Sequence, residues 1–225
     1  MNMVLCVATL HWEGWLDSIK SWYKHSSPDR IQMRIVFGKE ILVAYQECYV
    51  TTNAPILSYI HDDVEIYEEN WDLRVLKEFD DPKVGVVGFG GALGHGVPNL
   101  YHVPYYLPNL ARQQFMFNMR SAEKHGSRFT GERDVVILDG YALFLRREIL
   151  DKVGGWPVGK PYGYFLYSEW LCCEARRQGF RIRMVGVDSE HLGGRSSFSG
   201  LKDNYEEAHR YLFENNRDVL PARTE

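Results

Sequence analysis

The first ninety residues switch between two hydrophobic periods. Residues 4–10 form one apolar run and predict a strand. Residues 15–23 space Trp15, Leu16, Ile19, Trp22 and Tyr23 as a helix does, and Ser26-Ser27-Pro28-Asp29 breaks the pattern. Residues 32–37 alternate like a second strand and stop at Gly38. Ile41–Val50 suits a helix, and Pro55 restarts the chain into the apolar run 54–60, which reads as a buried strand. Residues 71–79 place Trp71, Val75, Leu76 and Phe79 on one helical face, and 83–89, with Val84, Val86 and Val87, form a further buried strand. This alternation implies an α/β fold with a mostly parallel central sheet flanked by helices.

The pattern then loosens. Residues 90–96, rich in glycine, are expected to be loop, and 100–110 are rich in Tyr and Pro. Residues 112–124 suit either a helix or a flap over a ligand. Strand character returns over 135–146, on both sides of Asp139-Gly140. Arg147–Val153 reads as a short helix closed by Gly154-Gly155, residues 170–178 as a helix stopped by Gly179, 180–187 as a strand and 205–216 as a closing helix. With no repeat, low-complexity tract or linker, residues 1–225 read as a single domain.

Composition narrows the function classes. The chain of 225 residues is 45% hydrophobic and 14% aromatic, enough for a sizeable core and against disorder. A net charge of -4 and a pI near 6.1 argue against a nucleic-acid partner. No apolar run is long enough to span a bilayer, and the short apolar start lacks a basic leader, so it reads as a first strand rather than a signal peptide. Cys6, Cys48, Cys172 and Cys173 lack zinc spacing and are expected to be reduced thiols in a cytoplasmic protein.

The densest chemistry is His61-Asp62-Asp63-Val64-Glu65-Ile66, at the end of the 54–60 strand. Adjacent carboxylates repel one another, so their placement at a strand end asks for a positive partner. Two readings follow: a solvated acidic turn, or a site for a divalent cation that holds a diphosphate, since hard oxygen ligands suit magnesium or manganese.

Four blocks, in this order and spacing, resemble the family 2 glycosyltransferases, inverting enzymes of the GT-A fold. They are residues 56–66; residues 138–148 with the trailing Val153-Gly154-Gly155-Trp156; residues 164–182; and Glu190-His191. The resemblance implies one GT-A nucleotide-diphospho-sugar transferase domain, Rossmann-like, with residues 1–91 as the nucleotide-binding half and 92–225 as the acceptor-binding half. It implies a nucleotide-sugar donor (a UDP-sugar favoured), a glycan or other hydroxyl acceptor, and Mn2+ or Mg2+ as cofactor. Asp63 matches the last acid of the family's DxD motif and His191 its late histidine, so both are expected on the metal. Asp62 falls in the middle of that motif, toward the ribose or the metal's waters. His61 stands where the family usually has its first Asp, so the site loses one negative charge and the imidazole is expected to meet nucleotide or metal. Arg195, in a flexible loop, is expected to clamp the diphosphate. Thr9, His11, Glu13, Gly38 and Lys39 follow the first two strands and resemble the nucleotide pocket.

An inverting transferase needs a general base facing the acceptor hydroxyl. The family usually supplies the Asp of a Glu-Asp pair, and here the run is Tyr167-Ser168-Glu169-Trp170. Glu169 is the expected base, kept charged by a helix N-terminus, with Asp139 as the fallback. Gly140, Tyr141, Trp156 and Tyr167 are expected on the acceptor side, where aromatic faces suit sugar rings. The missing pair and His61 leave open a catalytically degenerate binder of nucleotide sugar or carbohydrate. A nucleotidyltransferase fits less well, because His-Trp-Glu-Gly-Trp after the first strand is not a triphosphate loop.

Overall fold

A computed structural model of the protein describes residues 3–10, 15–95, 115–121, 126–162, 166–193, 202–220 and 222–223. The first half runs β1 (Met3–Thr9), α1 (Trp15–Lys24), β2 (Ile31–Phe37), α2 (Ile41–Val50), β3 (Ile56–His61), β4 (Val64–Ile66), α3 (Trp71–Glu78) and β5 (Val84–Gly88). All but β4, which the sequence pattern did not predict, match that pattern to within one or two residues. The second half runs β6 (Gly90–Ala92), β7 (Gly94–His95), β8 (Phe115–Phe117), β9 (Ser127–Arg128), β10 (Glu132–Val135), β11 (Ile137–Leu138), β12 (Ala142–Arg146), α4 (Arg147–Val153), α5 (Tyr167–Arg177), β13 (Arg181–Val185), β14 (Ser189–His191), α6 (Lys202–Asn215) and β15 (Ala222–Arg223).

Seven strands form the central sheet in the order β10-β13-β5-β12-β3-β1-β2. Strands β2, β1 and β3 are parallel to one another, and β5 and β13 run the same way. Strands β12 and β10 oppose them. The sheet is therefore mixed, with its parallel majority as the strand–helix alternation implies. Strand β12, from the second half of the sequence, lies between β3 and β5, so the two halves interleave in one sheet.

Both faces of the sheet are covered, which is why β3 and β5 read as unbroken apolar runs. One face carries Trp22, Trp71, Phe89 and Phe144; the other carries Tyr45, Tyr59, Trp156 and Trp170. Each large ring removes roughly 150–250 Å2 from water, on the order of 4–6 kcal/mol before entropy is counted. Helix α1 also fixes the strand after the acidic turn: the Trp22 indole donates to the Val64 carbonyl at 2.9 Å, and the Ser18 hydroxyl donates to the same oxygen.

Three expectations are corrected here. Residues 90–96 are not all loop, since Gly90–Ala92 and Gly94–His95 are strands. Glycine permits this: a Cβ on Gly90 would lie 2.2 Å from the Phe117 ring, so β6 reaches β8 only without one. Phe115–Phe117, expected in a helix or flap, is the strand β8 that β6 pairs with. Helix α5 begins at Tyr167, ahead of the expected 170, because Tyr167, Ser168 and Glu169 are themselves buried in its first turn. All four cysteines are free and buried.

A histidine–carboxylate cluster at the end of β3

Strand β3 ends at His61, and Asp62-Asp63 turn the chain into β4. Strand β14 pairs antiparallel with β4 in a register that sets His191 opposite Val64, and the Leu192 N–H donates to the Asp63 carbonyl at 2.9 Å. This pairing brings His191 to residues far from it in sequence. His61 Nδ1 lies 3.3 Å from His191 Nε2, and His191 Nε2 lies 3.2 Å from Asp63 Oδ1. Among the described residues, His61, Asp63 and His191 form a group whose ligand atoms all lie within 4.8 Å of one another.

Ligand atoms about 2.1 Å from a shared ion stand roughly 3.0–3.4 Å apart, so these separations fit a divalent cation. Two imidazoles and one carboxylate are a donor set suited to manganese and other transition ions more than to magnesium. Without an ion the three groups restrain one another. Burial pushes the His61 imidazole down to about 4, helped by His191 and opposed by Asp63. Burial also works against a charge on His191, yet the hydrogen bond and charge of Asp63 lift its pKa above the usual value. Burial raises the Asp63 carboxyl, and the His191 contact outweighs it, so the net shift is downward. His61 is thus a neutral imidazole near pH 7, and Asp63 stays ionised.

Behind the cluster lie two tyrosines. The Tyr167 hydroxyl meets His61 Nε2 at 2.6 Å and the Gly140 carbonyl at 3.0 Å. The Tyr141 ring stacks on His191, with centroids 5.4 Å apart and planes at 13°. The Tyr141 carbonyl accepts from the His61 N–H at 3.0 Å, tying the end of β3 to the Asp139–Gly140 turn. Asp139 in turn accepts from the Tyr141 N–H at 3.1 Å. Its charge helps raise the pKa of both Glu169 and His191.

Glu169 sits in the first turn of α5, 8% exposed, and accepts from the Ser168 hydroxyl at 2.8 Å. The expectation that the helix N-terminus keeps it charged is corrected: burial dominates and pushes its carboxyl up to about 8.

Three expected acceptor contacts are corrected by burial. Tyr141, Trp156 and Tyr167 are 0%, 5% and 1% exposed, so none offers a ring face to a sugar. Trp156 packs among Tyr45, Tyr59, Tyr167 and Trp170, as part of the core behind the cluster. Gly140 is half-buried and its carbonyl is taken by Tyr167. On the donor side, Asp62 is half-buried beside the cluster and outside the ligand group. Thr9 ends β1 buried, its carbonyl accepting from the Gly38 N–H at 2.9 Å. Gly38 has φ of 68°, a left-handed turn that leaves β2, and Lys39 pairs with Glu47 on α2. His11, Glu13 and Arg195 lie outside the described residues.

The sequence pattern missed the supporting roles of Tyr141 and Tyr167. No local signal marks them, since each meets its histidine only through the tertiary fold.

Comparison with solved structures identifies the fold. The chain is similar to A197 from STIV, with 16% identity over 86% of this chain and 87% of that one, at a TM-score of 0.54. It is similar to the mannosyltransferase PcManGT from Pyrobaculum calidifontis, solved with GDP-Man and Mn2+, with 12% identity over 97% of this chain and 72% of that one, at 0.59. It is also similar to GalNAc-T7, solved with UDP, GalNAc and Mn2+, with 9% identity over 95% of this chain and 48% of that one, at 0.62. No curated protein matches the sequence. The profile described as "Glycosyltransferase like family" matches residues 30–216, most of the chain. With its large mixed sheet flanked by helices and the cluster at the end of β3, the chain belongs to that glycosyltransferase-like family and has the GT-A fold.

Proposed function

We propose that this protein is a metal-dependent, inverting glycosyltransferase that moves a sugar from a nucleotide-diphosphate donor to a hydroxyl acceptor. The observation that carries the reading is the convergence of His61 Nδ1, Asp63 Oδ1 and His191 Nε2 at the end of a central strand. In open α/β sheets ligands bind beyond the carboxyl ends of strands, and β1, β2 and β3 all end on this side. The complexes of PcManGT with GDP-Man and Mn2+, and of GalNAc-T7 with UDP, GalNAc and Mn2+, support the same assignment.

In this reading His61, Asp63 and His191 are the residues that would hold the ion. A bound divalent ion supplies Lewis-acid stabilisation to the departing diphosphate. Glu169 takes the proton of the acceptor hydroxyl as that oxygen bonds to the anomeric carbon. The bond from that carbon to the diphosphate oxygen breaks on the opposite face, so configuration inverts. A carboxyl poised near 8 suits a base that works close to neutral pH, because it holds a transferred proton well and still ionises. Asp139, within electrostatic reach of both Glu169 and His191, is the alternative base. Residues 1–91 supply most of the donor side, and the acceptor side draws on 92–225.

The test is calorimetry with Mn2+, then with nucleotide sugars in its presence, followed by donor turnover. Two imidazoles and a carboxylate make three protein ligands, so Mn2+ should bind before any nucleotide is added. A protein that neither binds Mn2+ nor consumes any of a panel of GDP- and UDP-sugars contradicts the reading.

A further inference from the structure

We propose that Tyr167 is a positioning residue that fixes the tautomer of His61, so that the bare Nδ1 faces the cluster; the metal consequence rests on the proposed function above. A tyrosine hydroxyl carries one proton. The Tyr167 oxygen lies 3.0 Å from the Gly140 carbonyl oxygen and 2.6 Å from His61 Nε2. A carbonyl only accepts, so the Tyr167 proton goes to Gly140. The Tyr167 oxygen then accepts, and His61 Nε2 must be the donor. A neutral imidazole with its hydrogen on Nε2 has its lone pair on Nδ1. That is the atom 3.3 Å from His191 Nε2, inside the cluster.

Two further features hold the arrangement. A Cβ on residue 140 would stand 2.4 Å from the Tyr167 hydroxyl, so only glycine lets that hydroxyl reach the carbonyl. The ring of Tyr167 is locked among Tyr45 and Trp156, with centroids 5.7 and 6.0 Å away. A histidine ligand oriented through its second nitrogen is a recurrent device of metal sites, commonly using a carboxylate or a backbone carbonyl. Here a phenol stands between the imidazole and the carbonyl. Tyr167 is also the first residue of α5, two positions before Glu169, so the ring that orients one ligand belongs to the helix that carries the proposed base.

The experiment uses the full chain with and without Mn2+. Long-range 1H–15N NMR of the histidine rings in the metal-free protein reads the His61 tautomer, and Mn2+ titration followed by electron paramagnetic resonance reads affinity. Wild-type His61 should show a single Nε2–H tautomer. Tyr167→Phe keeps the ring and its packing; it should give a mixture of tautomers and weaken Mn2+ binding about 10- to 100-fold. Gly140→Ala, which displaces the hydroxyl from the carbonyl, should do the same with Tyr167 intact. An Nδ1–H tautomer in the wild type overturns the proposal, and so does Tyr167→Phe with unchanged tautomer and unchanged affinity while near-UV circular dichroism reports a native fold. A wild type with the Nε2–H tautomer that binds no Mn2+ leaves the positioning role standing and overturns the metal assignment instead.

Discussion

Two places in this molecule bring histidines within electrostatic reach of each other, and they differ in what surrounds the imidazoles. His61 and His191 stand at the end of β3 beside Asp63, whose carboxylate lifts His191 above its usual pKa. His61 and His191 are half-buried, whereas His95 on β7 and His209 on α6 are buried, and burial together with the second imidazole pushes His209 down to about 3. The residue type is the same in both places. At the end of β3 an ionised carboxylate stands beside the imidazoles, where parallel strands end and a ligand can approach. Two imidazoles beside an ionised carboxylate are a donor set that a divalent cation can use.

The comparison can be broken first at Asp63. Asp63→Ala should lower Mn2+ affinity more than about 100-fold, beyond the range seen when only supporting residues are removed, and abolish turnover. Calorimetry on the purified variant reads this directly. A variant that binds Mn2+ like the wild type would make the two histidine pairs equivalent and end the distinction.

Next in size is Glu169→Gln. Turnover should fall by about 10²- to 10⁴-fold with Mn2+ affinity unchanged, separating the base from the cation site. Equal turnover in Glu169→Gln alongside loss in Asp139→Asn would move the role to Asp139.

The same carboxyl makes a pH prediction. Folded Glu169 keeps its proton up to about 8, whereas its ordinary value is 4.5. Between those values the folded state binds more protons than the unfolded chain, so this group's stabilising share is complete below 4.5 and is lost as pH rises through about 8. Urea denaturation at pH 5 and pH 8.5 should show it as a loss on the order of 2–4 kcal/mol that Glu169→Gln removes. Turnover should move the other way, rising with an apparent pKa near 8, since the base acts ionised.

The smallest effect sharpens the contrast from the other side. His209→Leu should leave Mn2+ affinity and turnover within about twofold of the wild type, and change stability by roughly 1 kcal/mol in thermal melts. A loss of metal binding in that variant would join the second pair to the site.

Much of this molecule was legible in its residues. The buried strands β1, β3 and β5 and the helices between them follow from unbroken apolar runs and period-3.6 faces, because local hydrophobic periodicity reports directly on burial. The spacing of family-like blocks pointed to both Asp63 and His191, and the fold sets them 3.2 Å apart; their hold on a metal is part of the proposal. The strands β6 and β8 were not legible, since a three-residue strand rich in glycine is defined by a partner remote in sequence. Trp156, read as a sugar platform, is core, because an aromatic ring beside glycines looks the same in sequence whichever way the chain folds over it.

By itself the sequence determined an α/β domain, a negatively charged turn at the end of its third strand, and a late histidine that belonged with it. Only the tertiary structure decided that His61 faces His191 and Asp63, that Tyr167 stands between His61 and the Gly140 carbonyl, and that Glu169 is buried enough to hold a proton at neutral pH. The physical reason is range. Burial periodicity is written in neighbours three or four residues apart, whereas ligand geometry, tautomer and pKa are set by groups more than a hundred residues apart, such as His61 and His191, that meet only through β4, β14 and α5.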